Sequence, residues 1–185
     1  MKNVFLNCGA NKGFIIERFI EARGDDWEIH AFECLPECVG ILNNKFGNNK
    51  KVIVQDCAVS TYDGSATFRL GSSTNSGSLR EDKTTYMTGQ NLLVRTVDFS
   101  SWVRNNVTEE DKVCLAMDIE GGEYDILKKM IKDNTLSFID TFYLEFHGQR
   151  CLQGFDMSIE KNIKSALDNA FGDKIIYNNS STWSF

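Results

Sequence analysis

Two short segments carry residue types that can move a proton. Asp118-Ile119-Glu120-Gly121-Gly122-Glu123 places three carboxylates within six residues, and Glu145-Phe146-His147 adds a fourth beside one of the chain's two histidines. In an extended segment successive side chains point to opposite faces, so Glu145 and His147 share a side and Phe146 takes the other. A histidine near its ordinary pKa of about 6.5 can accept a proton at neutral pH. A carboxylate can do so where its surroundings raise its pKa. His147 is therefore the first candidate for a general base, with Asp118 next. Asp118, Glu145 and His147 could instead hold a divalent cation. Glu120 and Glu123 admit a plainer role, because carboxylates are favoured at a helix N-terminus.

A third segment, Asn7-Cys8-Gly9-Ala10-Asn11-Lys12-Gly13, has the composition of a ligand-binding turn. Gly9 and Gly13 let backbone bend tightly, and Asn11 tolerates the left-handed conformation better than most residues. The spacing G-x-N-x-G is not the nicotinamide fingerprint, whose last glycine would fall at Phe14, and no Gly-Lys-Ser/Thr follows to make a phosphate loop. Glu33 lies roughly twenty residues past the turn, where an acidic side chain can accept hydrogen bonds from a ribose diol. Asp56 and Cys57 close the next strand-like run, where an adenine edge would lie.

These segments need elements to position them, and the chain supplies an alternation. Asn3–Asn7 is a buried strand ending at Gly9. Phe14 to Arg23 has apolar residues at helical spacing, with Gly24 as a cap. Glu28–Glu33 is a second strand, Pro36 opens a helix reaching about Phe46, and Lys51–Cys57 is a third strand. Ala66–Leu70 reads as an edge strand after Tyr62-Asp63-Gly64. Ser72–Ser78 reads either as a solvated connector or as a lid. Leu92–Asp98 is strand-like, and Ser100–Asn106 is a short helix. Lys112–Asp118 is a fourth core strand, Glu123 to Lys132 a helix, Ile139–His147 a fifth strand, and Ser158 to Phe171 a helix. Lys174–Tyr177 and Ser181–Phe185 form a terminal hairpin around Asn178-Asn179-Ser180. The pattern predicts an α/β fold over residues 1–185: one domain, one mixed sheet, doubly wound and mostly parallel, with helices on both faces and an antiparallel C-terminal hairpin. Each candidate proton-handling segment then lies at the carboxyl end of a core strand, where such sheets bind ligands.

Composition narrows the partners. The chain has 185 residues, 42% of them hydrophobic and 25% charged, and Lys+Arg 20 against Asp+Glu 26 gives a net charge of −6. That balance argues against nucleic acid and anionic membranes. No apolar run approaches the roughly 18–20 residues of a membrane span, and the first residues turn polar too soon for a signal peptide. Six cysteines, with no C-x-x-C pair, read as free buried thiols in a reducing, cytoplasmic setting.

The segments FLNCGANKG, AFECLPE, DCAVSTYDGSATF, VRTVDF, LAMDIEGGEYDIL and YLEFH, in that order, resemble the FkbM-type methyltransferases. The resemblance covers about Asn3 to His147, and Asp118 to Glu123 is similar to the family's D-x-E-G-x-E signature. It implies a Rossmann-like class I fold and S-adenosylmethionine (SAM) as cofactor, released as S-adenosylhomocysteine. It also implies methylation of a hydroxyl on a sugar, a glycan or another natural product. The cofactor would then lie across Asn7, Gly9, Ala10, Asn11, Gly13, Glu33, Asp56, Cys57 and Asp118. His147, Asp118 and Glu145 would be the catalytic candidates, and Glu120 and Glu145 would face the acceptor. Asn7 stands where the family commonly has Asp, and Cys34 replaces a common proline. The chain opens almost on its first strand, which predicts a neighbouring domain in a longer polypeptide or acceptor recruitment on an open face. Asp118-Ile119-Glu120-Gly121 lacks the Asp/Asn-Pro-Pro-aromatic pattern of amino-nitrogen methyltransferases. A partner-binding module without activity is the remaining alternative, and the turn spacing disfavours a dehydrogenase.

Overall fold

The computed structural model describes residues 1–178 and 185, except for the side chains of 149 and 150. Six strands form one sheet: β1 (Asn3–Cys8), β2 (Glu28–Glu33), β3 (Val52–Asp56), β7 (Lys112–Met117), β8 (Thr141–Glu145) and β9 (Ile175–Asn178). Their order is β3-β2-β1-β7-β8-β9, and every pairing is parallel. Helices α1 (Phe14–Arg23) and α2 (Pro36–Phe46) cover one face. Helices α3 (Phe99–Asn106), α4 (Glu123–Lys132) and α6 (Met157–Phe171) cover the other, and α5 (Gly148–Cys151) is a single turn.

The two layers follow from alternation along the strands. In β1, Val4, Leu6 and Cys8 pack with Phe99, Leu127 and Leu167, whereas Phe5 packs with Ile16, Phe19 and Leu42. A strand sandwiched this way has no polar face, which is why NVFLNC reads as a nearly unbroken apolar run. Apolar spacing places Ile16 and Phe19 of α1 inward, and Ile126, Leu127 and Met130 of α4. In α6 the inward face is narrower than expected: Ile163 and Leu167 are buried, but Ala166 and Ala170 are exposed.

The single mixed sheet is corrected to two sheets. β4 (Ala58–Ser60), β5 (Gly64–Gly71) and β6 (Met87–Asp98) form a separate three-stranded sheet, parallel between β4 and β6 and antiparallel between β5 and β6. The residues expected as an edge strand and as Leu92–Asp98 are therefore the two long strands of that small sheet. Phe68, Leu79 and Leu92 pack there against Cys34, Ala58 and Val94. The first arm of the expected hairpin is β9, which joins the main sheet parallel to β8, from Phe142↔Ile175 to Glu145↔Asn178. Of its second arm, all but Phe185 lies outside the described residues. The Phe185 ring packs against Phe5, Phe19 and Tyr143.

Chain order reverses at β1, which has β2 on one side and β7 on the other. That switch point opens a crevice beyond the carboxyl ends of the two strands. Gly9 follows β1 there and Asp118 follows β7, and the Asp118 N–H donates to the Cys8 carbonyl (3.1 Å).

Candidate active site

The glycine turn forms one wall of the crevice. Gly9 has φ 82°, and a Cβ added to it would stand 2.0 Å from the Asp118 carbonyl oxygen. Only glycine allows β1 and β7 to end that close together. Asn11 takes the left-handed conformation, φ 48°, as its residue type suggests. Its N–H donates to Glu33 Oε2 (2.8 Å), and Glu33 Oε1 accepts from the N–H groups of Cys34 and Leu35 (2.8 Å each). The Glu33 carboxylate thus ties the turn after β1 to the end of β2. Burial pushes it above the ordinary carboxylate range. The three N–H donors oppose that shift, and Asp56 adds to it.

A cavity of about 110 Å³ opens above this turn. Gly9, Asn11, Glu33, Cys57 and Asp118 line it, as expected, and so does Glu120. Phe32, Cys34, Ala58, Phe68 and Leu79 give it an apolar flank. Thr74, Asn75 and Gly77 also line it, so the Ser72–Ser78 segment covers the cavity rather than standing off in solvent. Thr74 Oγ1 donates to Asn11 Oδ1 (3.2 Å), fastening that cover to the turn.

Four expected cofactor residues do not line this cavity. Gly13 caps α1, and a Cβ there would meet Phe46 and Leu42, so it serves helix packing. Ala10 is buried, with its N–H on the Phe32 carbonyl (2.9 Å). Asp56 is exposed at the end of β3, because the alternation that buries Cys57 turns Asp56 outward. Asn7 is buried within β1, and its Oδ1 has no hydrogen-bond partner among the described residues.

The opposite wall is built of charge. Glu123 is fully buried at the head of α4, where it accepts from the N–H groups of Ile119 (2.9 Å, Oε1) and Gly121 (2.9 Å, Oε2). Its Oε1 also meets His147 Nδ1 at 3.0 Å. Glu123 holds the Ile119–Gly121 turn that leads into α4 and aims the imidazole; no side-chain hydrogen bond caps the helix itself. His147 Nε2 then faces Asp118 Oδ1 (3.5 Å), Glu120 Oε1 (3.6 Å) and Glu145 Oε1 (3.9 Å).

Burial alone would lower the His147 pKa. The hydrogen bond and charge of Glu123, with the charges of Asp118 and Glu120, outweigh it and carry the pKa up to about 10. This corrects the expectation of a neutral imidazole base, because a ring protonated at neutral pH with Nδ1 held by Glu123 has no lone pair to offer. Asp118 moves toward the useful range instead. Burial in the cavity wall raises its carboxyl most, His147 opposes, and Glu145, Glu123 and Glu120 add to the rise, pushing it up to about 7. Its side chain is still 38% exposed, toward the cavity. Among the described residues no hydrogen bond reaches its carboxylate.

Asp118, Glu123 and His147 offer ligand-type atoms within 4.8 Å of one another. Both Glu123 oxygens are already taken by backbone N–H groups and the imidazole, so Glu123 acts as an anchor, and the trio is not read as a metal site.

One residue that the fold brings to this wall has no sequence signal. Lys83 is fully buried, and its Nζ pairs with Glu120 Oε2. It comes from the segment between β5 and β6, where neither helical nor strand periodicity marks any residue. Six free cysteines, five of them buried, agree with the composition. No helix among the described residues is long and apolar enough to cross a membrane.

A family model described as the methyltransferase FkbM domain matches residues 7–171. No curated protein matches the chain. Two solved structures share a weak likeness. One is the methyltransferase FkbM from Methylobacillus flagellatus KT, at 14% identity and a TM-score of 0.46, with 71% of this chain and 30% of that chain covered. The other is the yeast methylglyoxal/isovaleraldehyde reductase Gre2 complexed with NADPH, at 12% identity and a TM-score of 0.46, with 95% and 55% covered. This chain therefore spans less than two thirds of the length of either.

Proposed function

Because the chain belongs to the methyltransferase FkbM family, we propose that it transfers a methyl group from SAM to a hydroxyl of a sugar or glycan, with Asp118 taking the hydroxyl proton. One observation carries this reading: the Asp118 carboxylate, which accepts no hydrogen bond among the described residues, faces a cavity whose other wall is a glycine turn.

The residues present fit SAM. Gly9 keeps the cavity floor clear of a side chain, Glu33 retains acceptor capacity on Oε2 beyond its three N–H bonds, and Phe32, Cys57, Ala58 and Phe68 offer an apolar flank to a base. Gly9 and Asn11 would hold the tail, Glu33 the ribose, and the flank the adenine. When bound, SAM supplies a methyl group already activated for in-line displacement by an oxygen.

What remains for the chain is alignment and proton removal. Asp118 accepts the proton as the acceptor oxygen becomes bonded to carbon. His147, held as a cation by Glu123, steadies the surrounding carboxylates. Glu120 and Glu145 crowd the same imidazolium; Glu120 lines the cavity beside Asp118, whereas Glu145, expected to face the acceptor, does not line it. The free thiols fit a reducing cell interior. A neighbouring domain in a longer polypeptide would supply any acceptor contacts that this chain lacks.

The test is methyl transfer from isotopically labelled SAM to a panel of sugars, glycans and non-sugar alcohols, read by mass spectrometry. Labelled methyl ethers on sugars are expected. Transfer to non-sugar alcohols alone would move the acceptor class. SAM binding without transfer to any acceptor would favour a binding module.

A further inference from the structure

Three carboxylates, on Asp118, Glu120 and Glu145, lie within 4 Å of His147 Nε2, and Asp118 and Glu120 both line the cavity. They are not equivalent. Glu120 has both oxygens engaged, Oε1 facing His147 and Oε2 facing Lys83. Asp118 meets His147 through Oδ1 and accepts no hydrogen bond among the described residues.

The difference is built by a distant segment. Lys83 is 0% exposed, and a buried ammonium is tolerated only when paired. Its backbone is pinned from two sides. Arg69 Nη1 donates to the carbonyls of Arg80 (3.2 Å) and Lys83 (2.8 Å). The Thr84 N–H donates to the Cys151 carbonyl (3.1 Å), and the Gln153 N–H to the Asp82 carbonyl (2.8 Å). Ser78 Oγ donates to the Glu120 carbonyl (2.8 Å), so the same segment also holds the Glu120 backbone, whose φ is 57°. This is a large investment of contacts to bring one cation to one carboxylate.

We propose that Lys83 is a positioning residue for methyl transfer, whose ammonium draws Glu120 aside and leaves Asp118 as the carboxylate open to the acceptor hydroxyl. The inference rests on the methyltransferase reading of this site. Asp118 is faced by Glu120 and Glu123 from the head of α4 and by Glu145 and His147 from the end of β8. Lys83 lies behind Glu120 and screens its charge. Without Lys83, the full negative charge of Glu120 acts on Asp118 and competes for the same imidazolium.

The experiment compares Lys83→Met and Lys83→Arg by two readouts. The first is the pH profile of kcat. The second is NMR titration of the Asp118 carboxyl carbon, identified as the resonance lost in Asp118→Asn. Lys83→Met should raise the Asp118 midpoint by about one pH unit and lower turnover at neutral pH about ten-fold, with SAM affinity unchanged. Lys83→Arg should restore both. An Asp118 midpoint unmoved in Lys83→Met overturns the proposal, because a merely structural lysine would change stability and leave the titration alone. If Lys83→Met does not fold, Lys83→Gln, which keeps a donor beside Glu120 and removes the charge, takes its place, and an Asp118 midpoint unmoved there overturns the proposal as well. The titration needs no acceptor. Failure to find any methyl transfer would therefore strike the functional reading and still leave the Lys83 proposal decided.

Discussion

The two walls of the crevice solve opposite problems with opposite materials. The Gly9–Asn11 wall works through the backbone. Its groups are N–H donors and one carboxylate, Glu33, which is spent largely on holding the turn in shape. The Asp118–Glu123 wall works through side chains, with four carboxylates around one imidazole and a buried lysine behind them. Backbone groups bind without titrating, so pH reaches the first wall through Glu33 alone among these groups, its carboxyl raised by burial. The second wall is tuned by mutual repulsion and burial, so its protonation sets when it can act. A transferase that must hold an expensive cofactor steadily while moving a proton benefits from keeping these tasks apart.

The largest expected effect tests that separation on the charged wall. Asp118→Asn should reduce kcat by roughly 10²–10⁴-fold, the usual share of general-base catalysis. SAM affinity, measured by calorimetry, should stay close to that of the parent. Loss of binding along with turnover would mean that the two walls are not independent.

Gly9→Ala attacks the backbone wall. A methyl group 2.0 Å from the Asp118 carbonyl must displace one strand end. Folding stability and SAM affinity should fall together, stability by about 3 kcal/mol, the upper part of the ordinary range for a point substitution. A variant with parental affinity would show that the turn is a passive connection.

Glu33→Gln is a finer probe of the same wall. The amide keeps an acceptor and loses the charge, so SAM binding should weaken by about 1.5–3 kcal/mol, the range for hydrogen bonds to a charged group. Urea denaturation separates a binding loss from a loosened turn, since only the latter lowers the stability of the unliganded protein.

The last test is the pH dependence of stability. Asp118 has a folded pKa of about 7, above its unfolded value, so its contribution is fully present below about pH 3.9 and is lost as pH rises through 7. His147, at about 10, contributes fully below about pH 6.5 and loses that contribution as pH rises through 10. These two contributions therefore decline from acid to alkaline pH in two overlapping windows, against carboxylates such as Glu28 and Asp82, held below their ordinary range by Lys2 and Arg80, whose contributions are lost toward acid. His147→Gln should flatten the upper window. A melting temperature that climbs across pH 7–10 would contradict the assigned charge states.

The contrast also explains which parts were legible beforehand. Gly9, Asn11 and Glu33 betray themselves because strand, turn and helix N-terminus impose short-range rules on residue type. The parallel order of the core strands follows from alternation of the same kind. Asp56 misled because the end of a strand fixes a position but not a direction, and one residue of pleat separates the buried Cys57 from the exposed Asp56. Lys83 was illegible for a deeper reason. Its meaning depends on Arg69 and on residues 151–153, contacts made across the fold with no periodicity to announce them. His147 stands out by position, yet its charge state depends on Glu123, whose place at the head of α4 suggests capping and conceals its bond to the imidazole. The second sheet was missed because edge-strand patterns do not say which sheet a strand joins.

The approach of Gly9 to the Asp118 carbonyl, described above as a packing constraint, has a consequence for accuracy. The tip that would carry the methyl donor and the residue that would take the proton are referenced to one another at a single contact, without intervening loops to accumulate error. Breathing of the sheet displaces both together, so their separation is insulated from motions that move either one. Since misplacement by about 1 Å can cost a factor of a hundred in rate, the missing side chain at position 9 sets the tolerance to which the whole reaction is machined.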